Sequence, residues 1–249
     1  MLKKYQKYCK PVLISLTLLL MSCSVKQPEI KPVTEYPIPL PQTLTAPEQN
    51  HYWWYARFKF MWDGKPETID FSKNLIIAHQ LINPVLRDHD GNIKLWRFHR
   101  RAANDGAGHQ FSFIFYATPE TAEQIFKQIQ DHELTHQLIE NNIIDVIKLD
   151  NPNSPKRPLI EDTSDKSWSI TLQQSWPYYI MGVSATWLDL LNRGIDPDKL
   201  ASSHSIDGQM EYYQSINAAL THLWKKQGEH AFYHHINAIF GYEPMEIRF

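Results

Sequence analysis

The segment WWYARFKFMW, residues 53–62, decides the fold class of this chain. Apolar and polar side chains alternate along it, which is the period of a β-strand with one buried face. The apolar face is made up of Trp54, Ala56, Phe58 and Phe60. The opposite face is made up of Tyr55, Arg57 and Lys59. The segment therefore predicts a strand that packs one side against a core.

Predicted strands and helices follow one another outward from this segment, over residues 51–150. Three further strands are predicted at 93–101, 110–116 and 143–149. Apolar residues at helical spacing predict one helix over 75–86 and another from 119 to about 139. The order strand, helix, strand, strand, helix, strand predicts an α+β domain. We expect a ferredoxin-like (βαββαβ) antiparallel sheet with two helices on one face.

Residues 151–249 have a different pattern. A polar connector over 151–168 precedes three helical stretches, predicted from Pro177 to Gly194, over 209–228 and over 229–240. We expect these helices to form a layer that packs on the core.

The N-terminus has the features of a removable export signal. Four lysines precede an apolar run over 12–21, which is shorter than the roughly 20 residues that span a bilayer. The sequence Leu20-Met21-Ser22-Cys23 resembles the lipobox of bacterial lipoproteins. That resemblance implies that residues 1–22 are a signal peptide and that Cys23 carries the lipid anchor. Ser24, in place of an aspartate, implies an outer-membrane location facing the periplasm. An uncleaved signal anchor and a secreted protein with an incidental cysteine are the alternatives.

Residues 23–50 are predicted to be a tether. Six prolines lie in this polar stretch, which favours an extended polyproline II conformation. The chain carries 25 basic and 27 acidic residues, and residues 1–22 contain four lysines and no acid, which leaves a charge of −6 on residues 23–249. An acidic chain gives no general reason to bind nucleic acid. No disulfide is expected, because Cys9 lies in the signal and Cys23 is the lipid site.

Residues 132–136 read His-Glu-Leu-Thr-His, an H-E-x-x-H sequence. On a helix, the two histidines would share one face and could bind Zn²⁺, while the glutamate deprotonates a zinc-bound water. The sequence is similar to the motif of thermolysin-like zinc metallopeptidases, which implies His132 and His136 as ligands and Glu133 as the general base. Glu161 is the nearest candidate for a third ligand. The alternative is that both histidines continue the edge of an ordinary amphipathic helix.

A second candidate site is a basic face of the predicted sheet. If the apolar residues of the strands face the core, five basic side chains emerge on the other side: Arg57, Lys59, Arg97, His99 and Arg101. Arginine recognises phosphate and carboxylate groups, so an anionic ligand is expected there. The alternative is that the C-terminal helices cover this face.

The sequence therefore favours a lipid-anchored cell-envelope lipoprotein that acts as a non-catalytic binding or accessory protein. Its expected partners are the membrane, through Cys23, and an envelope protein, glycan or lipid. No cofactor is expected. A zinc-dependent metallopeptidase that uses residues 132–136 is the alternative function, with zinc as its cofactor. A purely structural envelope component is a third interpretation.

Overall fold

A computed structural model of the chain describes residues 50–101 and 108–245. The predicted signal peptide, Cys23 and the tether lie outside the described residues, as do 102–107 and the last four residues. Every buried residue of the main core lies between Trp54 and Ile216, inside the compact unit Ala46–Phe249.

The centre of the domain is a four-stranded antiparallel sheet. Its strands are β1 (Tyr52–Phe60), β2 (Leu95–Arg100), β3 (Gln110–Ala117) and β4 (Ile144–Leu149). They lie in the order β2-β3-β1-β4, and all neighbours are antiparallel. The predicted strands and the mixed helix-and-strand class are confirmed.

Helical segments lie between β1 and β2 and between β3 and β4. The first comprises α1 (Ser72–Ile76), a π-helical turn (Ile77–Ile82) and α2 (Asn83–Asp88). The second comprises α3 (Pro119–Asp131) and α4 (Glu133–Glu140). Both bury apolar side chains against the face of β1 that was predicted to be the core face. This arrangement leaves the other face of β1 on the far side of the sheet.

The prediction of one continuous helix through His132 is wrong. His132 has extended backbone angles, φ −72° and ψ 131°, and it separates α3 from α4. Its Nδ1 accepts a hydrogen bond from the N–H of Leu134 at 3.1 Å, so the imidazole caps α4. The hydroxyl of Thr135 donates to the carbonyl of Ile129 at 2.6 Å and joins the two helices.

The chain after β4 is largely helical. A 3₁₀ turn (Ile160–Thr163) precedes α5 (Ile170–Gly194), α6 (Pro197–Ser202) and α7 (Ile206–Gly228). A second π-helical turn (Glu229–His234) and α8 (His235–Ile239) follow. The helix predicted from Pro177 begins earlier, because the Ser169 hydroxyl accepts the N–H of Leu172 and sets the start of α5. None of the helices described combines the length and the hydropathy that a membrane span requires.

Helix α5 covers the open edge of the sheet. Strand β2 is an edge strand, and the N–H of Phe98 donates to the Ser184 hydroxyl of α5 at 3.1 Å. That hydroxyl donates in turn to the carbonyl of Ile180 at 2.8 Å. An edge donor that would otherwise be exposed is thus satisfied, which discourages pairing with another chain.

Candidate ligand-binding groove

A cavity of about 840 Å³ lies between α5, α7, the second π-helical turn and α8. We call it the C-terminal groove. Its wall is mainly aromatic and aliphatic, and the large apolar side chains in it are Tyr178, Tyr179, Val183, Trp187, Leu190, Leu220, Leu223, Trp224, Phe232, Tyr233, Ile236 and Ile239. Cavities of this size and composition are typical of sites for small molecules.

Few polar groups reach the C-terminal groove. Thr186 and Thr221 contribute hydroxyls, Asn217 an amide, His235 an imidazole and Arg100 a guanidinium. Among the described residues that line it there is neither a carboxylate nor a cysteine. A mostly apolar wall with a few polar groups is the composition that small-molecule binding sites have.

Arg100 is the charged residue of this groove. It ends β2 on the same face as Trp96 and Phe98, opposite Phe111 of β3. Its Nε donates to Oδ1 of Asn74 at 3.0 Å. Its guanidinium carbon lies 5.1 Å from the centre of the Trp187 ring. Burial lowers the pKa of Arg100 to about 10, so the side chain stays protonated at neutral pH.

Apolar side chains at the rim of the groove are exposed to solvent. Trp224 is 63% exposed, Ile239 is 83% exposed and Tyr233 is 50% exposed. Trp224 stacks on Phe232, with ring centres 5.9 Å apart. Contiguous apolar surface of this kind marks an interaction site more often than it serves the fold.

The H-E-x-x-H residues lie away from this groove. His136 and Glu133 are exposed on α4, and the Glu133 carboxylate accepts a hydrogen bond from Gln137 at 3.1 Å. Glu161 lies in the 3₁₀ turn before α5. Within residues 50–101 and 108–245, no three His, Cys, Asp or Glu side chains are grouped so that they could hold a metal ion. The zinc assignment stays a prediction, but the single helix on which it depended is absent.

The basic residues of β1 lie on the sheet face predicted for them, opposite the main core. Arg57 lies over the ring of Tyr55 at 4.2 Å, and its Nη1 is 3.9 Å from Asp150. Lys59 pairs with Asp145 at 3.1 Å. Burial raises the pKa of Tyr55, against the opposing effect of Arg97 and Arg57. Acidic neighbours therefore already compensate two of the predicted cations.

Strand β2 places Arg97 and His99 on this same face, and Arg101 follows directly. Arg97 lies 4.9 Å from the centre of the Trp176 ring of α5 and donates to the carbonyl of Thr163 at 3.4 Å. Part of the face is covered, because a small apolar cluster packs against the 3₁₀ turn and the start of α5. Anion binding by this face stays a prediction.

The reasoning from sequence missed Arg100. A signal was present in the sequence, because positions 96, 98 and 100 share one face of the strand and only the third of them is charged. Comparison with known proteins gave no significant match to a family model, to a curated protein or to a solved structure. The arrangement of residues in the groove is therefore the main evidence for function.

Proposed function

We propose that this chain is a lipid-anchored lipoprotein of the cell envelope that binds a small apolar ligand in the C-terminal groove and does not catalyse a reaction. The lipobox-like sequence at residues 20–23 supports attachment through Cys23. The serine that follows supports an outer-membrane location facing the periplasm. An envelope lipid or another apolar envelope molecule is the partner class that the groove suits.

We also assign the core to the ferredoxin-like class. The strand order β2-β3-β1-β4, the antiparallel pairing and the helical segments after β1 and β3 support this assignment. The C-terminal helices are an addition to that core. The proposed binding function resides in this addition, because α5, α7, the second π-helical turn and α8 contribute nearly all of the groove lining.

The observation that carries the functional proposal is the groove itself, about 840 Å³ in volume and with an apolar wall. An open groove of that size leaves apolar side chains in contact with water, which lowers stability relative to burial of the same surface. A bound apolar ligand removes that surface from water.

Gly182 offers a direct test. It lies on α5 in the groove lining, and a Cβ placed on it would meet no atom within 4 Å. Gly182→Leu therefore fills part of the groove without a clash at Cβ, and leucine also favours the helix. We expect the affinity for Nile red, a neutral apolar dye, to fall at least about tenfold. Dye fluorescence would be titrated on a fragment of residues 46–249, which contains the whole core.

The matched variant is Gly182→Ala, which adds one methyl group to the same position. We expect it to keep most of the dye binding and to raise the free energy of unfolding by up to about 1 kcal/mol, because alanine is the better helix former. Urea unfolding of both variants checks that the fold is intact. Equal dye affinity in the wild type and Gly182→Leu would contradict binding in the groove.

A further inference from the structure

Arg100 holds a charge at the inner wall of an otherwise apolar groove. The N–H groups of its guanidinium are met by neutral acceptors: Nε by Asn74, and Nη2 by Asn217 and by the carbonyl of Phe71, both at 3.4 Å. No carboxylate among the described residues forms an ion pair with it, and burial is the cause of its lowered pKa. Arg100 is partly buried, and a guanidinium that is removed from much of its water is normally paired with an acid. Within the described part of the chain, this side chain therefore has no counter-charge.

The surroundings favour retention of the positive charge on Arg100. The guanidinium carbon lies 4.9 Å from the centre of the Phe71 ring and 5.1 Å from that of Trp187, within the range of cation–π contacts. These rings also limit the motion of the side chain. An anion that reached Arg100 from the groove would meet a guanidinium already held in place, in surroundings of low dielectric constant.

The shape of the groove indicates a chain-like ligand. Its lining residues on α5 run from Tyr178 to Leu190, which is about 18 Å along the helix. The other wall comes from α7 and the second π-helical turn and is also apolar. A long apolar chain could lie along this length, with its polar end at Arg100.

We propose that the C-terminal groove binds a long-chain carboxylic acid, with the carboxylate on the Arg100 guanidinium and the alkyl chain along α5. This inference rests on the proposed binding function and names its ligand class. One partly buried cation compensates one negative charge, which favours a carboxylate over a phosphate monoester with about two charges. The planar guanidinium also matches the geometry of a carboxylate.

The first test uses the wild-type fragment of residues 46–249 and displacement of Nile red by straight-chain acids. We expect affinity to rise about fourfold for each added methylene until the groove is full. The alcohol of the same chain length should bind at least about tenfold more weakly, because it lacks the charge that Arg100 compensates. Alkyl phosphates should also bind more weakly than the acids.

The second test changes the protein. Arg100→Gln should lower the affinity for the acid at least about tenfold and leave the affinity for the alcohol unchanged. Arg193→Gln is the control, because Arg193 is exposed and pairs with Asp189 outside the groove. The unchanged alcohol affinity of Arg100→Gln would show that its groove is still folded.

The outcomes separate this inference from the proposed function. Equal affinity for acid and alcohol, or tighter binding of the alkyl phosphate, would overturn the assignment of a carboxylic acid. Nile red binding that Gly182→Leu abolishes but no acid displaces would overturn it as well, while leaving the binding function in place. Absence of any dye binding would overturn both proposals.

Discussion

At the scale of single residues, the histidine on the first π-helical turn makes the stability of the domain depend on pH. His79 Nδ1 lies 2.7 Å from the Tyr213 hydroxyl, between α7 and the turn. Burial lowers the pKa of His79, and the positive charge of Arg87 lowers it further. Burial also raises the pKa of Tyr213, so the phenol stays protonated and keeps its hydrogen bond with the imidazole.

The direction of the pH effect follows from this shift. The unfolded chain takes up the proton near pH 6.5, whereas the folded chain takes it up only at lower pH. The free energy of unfolding should therefore decrease as the pH falls below about 6.5. We expect His79→Gln to flatten the melting temperature measured between pH 8 and pH 5. Part of the slope should remain, because burial also lowers the pKa of His109. A melting temperature that rises as the pH falls would contradict this account.

On β2, Arg100 points to the face opposite that of Arg97 and His99, two of the predicted basic residues. Alternation assigned Arg97, His99 and Arg101 to the open face because Trp96 and Phe98 were apolar. The same alternation places Arg100 on the core face. The sequence thus contained the signal, a charge in an apolar row. The residues that surround Arg100 could not be predicted in the same way. Asn217 and Trp187 are far along the chain, and their contact with Arg100 depends on the packing of the helices.

At the scale of elements, the strands were more predictable than the helices. Alternation defined β1 to within two residues, because strands with one buried face require a strict period of two. The break at His132 escaped prediction for a physical reason. Ile129, Leu134 and Leu138 all reach the core, so the buried stripe continues although the backbone does not. Hydrophobic periodicity indicates which face of a helix is buried, and it does not reveal a single residue at which the helical backbone is interrupted.

The break leads to a prediction about His132. Because its Nδ1 caps α4, His132→Ala should lower the free energy of unfolding by about 1 kcal/mol. Asparagine is a strong N-cap residue, so His132→Asn should preserve stability. Urea unfolding of the two variants measures the difference. Addition of zinc to the wild type provides a further check. A rise in the melting temperature of the wild type with one equivalent of zinc, absent from both variants, would support a metal site that includes His132.

At the scale of the whole molecule, the fold follows from local patterns, whereas the groove depends on how distant segments pack. Each strand of the sheet in residues 51–150 can be predicted from its own segment of sequence. The groove brings together Arg100, Gly182, Asn217 and Phe232 from four separate elements. None of these residues has a distinctive motif. The volume of the groove depends on the distance and the angle between α5 and α7, which helix periodicity does not specify.

The proposed lipid anchor makes a prediction about the full chain. Expressed in a bacterial host that processes lipoproteins, the wild type should begin at Cys23 and carry acyl chains, as its likeness to the lipobox implies. Cys23→Ser should retain residues 1–22 and carry no lipid, since the acceptor thiol is gone. Mass spectrometry of the intact protein and of its N-terminal peptide distinguishes the two forms.

Cys9→Ser is the matched control, because it removes the other cysteine of the chain from inside the proposed signal. We expect this variant to be cleaved and lipidated like the wild type. A wild-type chain that keeps residues 1–22 without lipid would instead indicate an uncleaved anchor. A cleaved chain without lipid would indicate a secreted protein. Either result would remove the membrane from the proposed function, while ligand binding by residues 46–249 could still be tested separately, because that fragment does not contain the anchor.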